Sequence, residues 1–172
     1  MNAFKYTAVI LLTLFFSSCN DDQKDTQNQL ERSEKKWGLL KSENNESYRY
    51  TVSTSSWTGY SSLTTITVQD GFVTKREFES YNVDNEGGKE LVDFYVEEGE
   101  EIGVNEEGTA PLTLDKLYDI CKEEYLSVDP KTNTIYFTAF DNGLVQSCGY
   151  VPDNCVDDCF FGFNLEIIEW MD

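Results

Sequence analysis

Two stretches of alternating side chains converge on Asp70-Gly71, and that dipeptide constrains the chain more than any other feature. A two-residue hairpin turn needs positive φ at both positions, which Asp-Gly supplies at low cost. Residues 62–69 (SLTTITVQ) approach the turn as a strand rich in β-branched residues, and residues 72–81 (FVTKREFESY) leave it as another. Residues 47–57 alternate ahead of them. Tyr48, Tyr50 and Val52 point one way, while Arg49, Thr51 and Ser53 point the other. Three strands with short connections predict an antiparallel meander buried on one face.

Helical periodicity appears twice. Residues 28–41 place Leu30, Trp37 and Leu40 on one stripe, with Gly38 weakening the last turn. Pro111-Leu112-Thr113 opens a second helix with Thr113 as N-cap and Asp115 in the first turn. Its buried face is Leu114, Leu117, Tyr118, Cys121 and Tyr125, and Asp129-Pro130 ends it. Thr134–Phe140 then reads as a strand, Asp141-Asn142-Gly143 as a turn, and Leu144–Val151 as its return. Along a last strand Phe161, Phe163, Leu165 and Ile167 alternate inward. The expected fold is α+β: an antiparallel meander sheet with two helices packed on one face, forming a single domain over residues 28–172.

Residues 82–110 interrupt this order. Asp84, Glu86, Glu90, Asp93, Glu97, Glu98, Glu100, Glu101, Glu106 and Glu107 face Lys89 alone. Leu91–Val96 is a candidate strand, and the rest of this acidic insert reads as mobile loop.

The N-terminus reads as an address. Residues 1–18 carry Lys5 and no acid, and Thr7–Phe16 is an apolar run of ten. Crossing a bilayer takes about 20 residues, so residues 1–18 are expected to be a signal peptide. Ser17-Ser18-Cys19 directly after the run resembles a bacterial lipobox, with Phe16 where Leu is usual. That resemblance implies cleavage before Cys19, acylation of Cys19 and membrane attachment through the lipid. Each buried methylene contributes about 0.8 kcal/mol, so several chains hold durably. Residues 19–27 are expected to be an acidic tether. Within it, Asn20-Asp21-Asp22-Gln23-Lys24-Asp25 resembles the surface-export signal of Bacteroidota lipoproteins. This implies an outer-membrane lipoprotein on the cell surface, or otherwise on the periplasmic face.

Several short stretches, in order, resemble a family of uncharacterised secreted bacterial domains, domain-of-unknown-function family 6174. They are Trp37, Tyr48-Arg49-Tyr50-Thr51-Val52, the hairpin Thr67 to Val73, Leu112-Thr113-Leu114-Asp115-Lys116-Leu117-Tyr118, Gly149-Tyr150-Val151-Pro152, and Asp157-Asp158 ahead of Gly162-Phe163-Asn164-Leu165. The resemblance spans residues 30 to 170. The acidic insert and the cysteines around Asp157-Asp158 depart from it. It implies the fold and brings no activity.

Composition then limits the chemistry. The 172 residues contain no histidine, which excludes Ser-His-Asp and Cys-His nucleophile systems and His-ligated metals. A net charge of −19 argues against nucleic acid, which needs clustered Lys and Arg. With 40% hydrophobic and 14% aromatic residues the chain is too apolar for a disordered acidic tail. No Gly-rich phosphate loop or Gly-x-Ser-x-Gly elbow occurs, and no cofactor is expected. Ser33-x-x-Lys36 has a Ser-Lys spacing but is expected on a polar helix face.

Cys121, Cys148, Cys155 and Cys159 fit two disulfides in an exported protein, with three connectivities open. The pairing expected is Cys121–Cys148 and Cys155–Cys159. Asp153, Asn154, Asp157 and Asp158 cluster there as a weak Ca²⁺ candidate without an Asp-x-Asp-x-Asp-Gly spacing. Trp57 and Tyr60, in the Ser/Thr/Gly-rich connection 53–62, are the candidate binding aromatics. Tyr48 and Tyr50 are expected in the core. These features point to a non-enzymatic binding or interaction module, with a basic protein or a glycan as partner. The alternatives are a small hydrolase using carboxylates and a structural spacer lipoprotein.

Overall fold

The computed structural model describes residues 19–84 and 86–171, with side chains from residue 23 onward. Residues 1–18, expected to be a signal peptide, lie outside the described residues, as does the Cys19 side chain. The elements run α1 (Cys19–Glu43), β1 (Tyr48–Ser55), β2 (Tyr60–Gln69), β3 (Phe72–Val83), β4 (Lys89–Glu98), α2 (Leu114–Ile120), β5 (Asn133–Ala139), β6 (Val145–Pro152) and β7 (Phe161–Trp170). The seven strands form one sheet in the order β4-β3-β2-β1-β7-β6-β5, antiparallel throughout. It is two meanders, β1–β4 and β5–β7, joined where the last strand pairs with the first. Asp70 and Gly71 have φ of 50° and 81°, as the hairpin turn requires.

Both helices pack on one face of the sheet. Leu30 and Trp37 of α1, Leu114, Leu117 and Tyr118 of α2, and Tyr48, Tyr50, Val52, Ile66, Val68, Phe163 and Leu165 of the strands form one buried cluster. Trp37 meets Tyr48 edge-on with centroids 4.9 Å apart and stacks on Trp170 at 5.6 Å. Such pairs add about 0.5–1.5 kcal/mol beyond burial. The buried tyrosines also use their hydroxyls. Tyr48 Oη accepts from the Leu114 amide at 3.0 Å, and Tyr50 Oη donates to the Leu112 carbonyl at 2.6 Å. Burial pushes both phenols well above the usual tyrosine range. Thr113 Oγ1 caps α2 by accepting from the Lys116 amide.

Cys121 is bonded to Cys148, tying the end of α2 to β6 across 5.8 Å between Cα atoms. Cys155 is bonded to Cys159 in the connection before β7. These are the two pairings read from the sequence.

Four expectations are corrected. First, α1 begins at Cys19, so the segment expected as an acidic tether is continuous with the helix. No proline or glycine interrupts residues 20–37, and Gln29 Nε2 donates to Asp25 Oδ2 at 3.2 Å one turn away. Polar composition suggested flexibility but does not oppose a helix. Second, Ser33 lies on the buried face, not a polar one; its Oγ and Tyr118 Oη are 2.7 Å apart. Third, the last strand changes phase. A bulge sets Val52 opposite Leu165 and Thr51 opposite Ile167, with Glu166 as the extra residue. Beyond it Ile168 and Trp170 turn inward, while Ile167 faces away and is exposed; Phe161, stacked on Tyr150 at 5.3 Å, is also exposed. Fourth, the acidic insert is ordered around a buried ion pair, described next.

Candidate functional site

Alternation in β1–β4 sorts the side chains onto two faces. Toward the helices, Tyr48, Tyr50, Val52, Ser62, Thr64, Ile66, Val68, Arg76, Phe78, Ser80 and Glu97 are buried. On the opposite face of these four strands no side chain is buried. That open face is polar across its centre. Thr51 and Thr65 hydroxyls pair at 2.9 Å, and Arg49 Nε meets Glu169 Oε2 at 2.6 Å. It carries two shallow depressions. One, of about 550 Å³, has Arg49, Thr67, Lys75, Glu77 and Glu169 in its wall. The other, of about 500 Å³, has Thr51, Ser53, Ser61, Leu63 and Ile167. At the β6–β7 end, the ring of Phe160 lies where side chains of Gly149 and Gly162 would stand.

Inward on β3 and β4 lie two charges that the pattern of apolar residues did not flag. Arg76 and Glu97 are cross-strand partners, and Arg76 Nη1 donates to Glu97 Oε2 at 3.0 Å with both side chains almost fully buried. The chain after β4 wraps over them. Glu97 accepts from the amides of Gly103 and Asn105, each at 2.7 Å, and from Asn105 Nδ2 at 2.8 Å. Arg76 donates to the carbonyls of Thr109 at 2.8 Å, Asn105 at 3.1 Å, and Glu107. Tyr95 adds a hydroxyl to the same Glu107 carbonyl and stacks on Phe78 at 5.0 Å. Burial alone would raise the Glu97 carboxyl. The two amides, then Arg76 and the Asn105 side chain, outweigh it and bring it to about 2. Gly108 closes the strap. A Cβ there would come within 2.7 Å of Phe78 and Thr64 atoms. The stretch expected as mobile loop is thus pinned by hydrogen bonds to two side chains.

Among the described residues Glu97 is the only buried carboxylate, and every donor around it is structural. No second buried carboxylate converges on it. The Ca²⁺ candidates do not assemble either. Asp158 Oδ2 accepts from Ser56 Oγ at 2.7 Å and the Trp57 amide at 3.2 Å, and Asp153 Oδ1 from Thr134 Oγ1 at 3.2 Å. Asp157 is exposed. Among the described residues no group of three or more acids or cysteines is placed to hold a metal ion.

The candidate aromatics are at the surface. Trp57 is 76% exposed in the β1–β2 turn that Asp158 braces, and Tyr60 is 38% exposed where β2 begins. Tyr60 pairs across with Asn82, which pairs with Glu90 at the start of β4. The turn therefore sits at the same end of the sheet as the start of β4. Leu91, Val92, Phe94 and Val96 of β4 are all exposed. The run LVDFYV signals a strand in sequence, but its position at the free edge is a property of the sheet order alone. Among the described residues no helix is long and apolar enough to cross a membrane. No protein-family model matches the chain, and no curated protein or solved structure shows significant similarity to it.

Proposed function

We propose that the protein is a lipid-anchored envelope module that binds a partner through the open face of its sheet and catalyses no reaction. The observation that carries this reading is the uncovered face of β1–β4, bordered at the free edge by exposed Leu91, Phe94 and Val96. Apolar side chains grouped on an exposed surface mark interaction sites more often than chance exposure. The shallow polar depressions suit a broad contact better than enclosure of a small substrate. The buried carboxylate of Glu97 is engaged by Arg76 and the strap, which supports a structural role for it over a catalytic one. The lipobox-like Ser17-Ser18-Cys19 and the acidic residues directly behind it support the reading of a surface lipoprotein. In that reading α1 is a stand-off arm. From Cys19 to Leu30, the first buried residue among the described side chains, the helix rises about 16 Å at 1.5 Å per residue.

Site-specific photo-crosslinking in living cells tests the proposal. A photoreactive residue at Thr65, mid-face, should give a discrete adduct. One at Lys35, on the exposed side of α1, should give none. Absence of any adduct from the open face overturns the reading. Metabolic acyl labelling of wild type and Cys19→Ala tests the anchor; equal labelling of the two would remove it.

A further inference from the structure

Resting on that binding reading, we infer that β4 is a docking edge for an extended, basic segment of a partner polypeptide, which adds to the sheet as an eighth strand. β4 ends the sheet, so among the described residues one of its two edges has no strand beside it. An unpaired edge is a template for another chain, and proteins usually blunt it by shortening, kinking or charge. β4 is ten residues long. It has one kink: Ser80 opposes Asp93 and Tyr81 opposes Leu91, leaving Val92 as the extra residue. The apolar content is not blunted. Leu91, Phe94 and Val96, opposite Tyr81, Glu79 and Glu77, share the open face and are 55%, 52% and 40% exposed. A strand laid along β4 would continue that apolar strip with its own alternate side chains.

Charge selects the occupant. Glu90, Asp93 and Glu98 stand on β4, and Glu100, Glu101, Glu106 and Glu107 flank it, against Lys89 at the start of the strand and Lys75, which lies 3.9 Å from Glu98; Asp93 Oδ1 accepts from the Phe94 amide at 2.8 Å. Glu97 is already neutralised by Arg76. A second copy of the chain would bring two such acidic edges together, each on a molecule of net charge −19. A segment alternating apolar residues with Lys or Arg satisfies the strip with one set and the acids with the other.

The test uses the full-length chain purified in mild detergent, with three seven-residue probes: alternating lysine and valine, its glutamate–valine counterpart, and the lysine–valine peptide N-methylated along one backbone edge. Amide hydrogen exchange is mapped by residue. The lysine–valine peptide should slow exchange in β4 about tenfold or more and lose binding as salt rises. The glutamate and N-methylated peptides should do neither. Phe94→Lys, a surface change, should abolish the protection while leaving thermal unfolding unchanged. Binding without β4 protection, or equal binding of the N-methylated peptide, overturns the inference. So does β4 protection that depends on protein concentration alone, which assigns the edge to a second copy. If Thr65 crosslinks a partner in cells while β4 stays unprotected, the binding module stands and the edge assignment falls.

Discussion

The two ends of the sheet solve the same burial problem by different chemistry. Around β1, β7 and β6 the inner face is covered by helices through Leu30, Trp37, Leu114 and Leu117, all apolar. Around β3 and β4 it is covered by the loop after β4, held by Arg76 and Glu97. Apolar burial is non-directional and tolerates exchange of similar shapes. A buried ion pair depends on each donor and acceptor keeping its partner. The difference predicts a tolerant end and a brittle end within one domain.

The largest effect should come from Arg76→Met, which leaves Glu97 charged and buried and is expected to cost about 3–5 kcal/mol in chemical denaturation. Replacing Glu97 by Leu in the same chain should recover most of that loss. If the double variant is no better than the single, the pair does not act as a unit. Next comes the Cys121–Cys148 bridge, whose separation of 27 residues gives about 3–4 kcal/mol by loop entropy. Comparing Cys121→Ala/Cys148→Ala with wild type measures it.

Acid should separate the two ends. The Glu97 carboxyl is depressed to about 2 by its amide and guanidinium partners, so its contribution is complete above the unfolded carboxylate range. That contribution fades as pH falls from about 4.5 toward 2. Proteolysis within residues 99–110 should therefore appear in acid before Trp37 fluorescence changes; simultaneous loss would mean one cooperative unit. At the apolar end Ile66→Val should cost only about 0.5–1.5 kcal/mol. Trp37→Phe should cost less than Trp37→Ala, because it keeps an aromatic ring against Tyr48 and Trp170. Among the described residues Trp37 Nε1 is buried without a hydrogen-bond partner, so losing it removes packing and no bond. A loss as large as that of the Ala variant would reveal a partner for the indole.

Legibility followed the same division. The hairpin at Asp70-Gly71, the alternation of Tyr48, Tyr50 and Val52, the Thr113 cap and the α2 stripe were readable because each depends on neighbours in sequence. The phase change near Glu166 was not, because the bulge exists only against β1. Ser33 looked polar and exposed because its partner, Tyr118, is 85 residues away. Of the candidate binding residues, Trp57 and Tyr60 were found by composition of their turn. Phe94 and Val96 carry a strand signal in sequence, and nothing local marks them as surface.

The sequence by itself determined the local geometry: which segments are strands, where the chain must turn, and that imidazole chemistry is unavailable. It also determined the total of the acidic charge. Only the tertiary structure decided that one acid of the insert is a buried anchor while its neighbours stay in solvent. The reason is that a charge on a strand can face inward only if an opposite charge meets it across the ladder. Arg76 and Glu97 are 21 residues apart in the chain and become opposed through the β3–β4 register. The same register leaves β4 as the last strand, which turns an ordinary apolar run into an exposed edge.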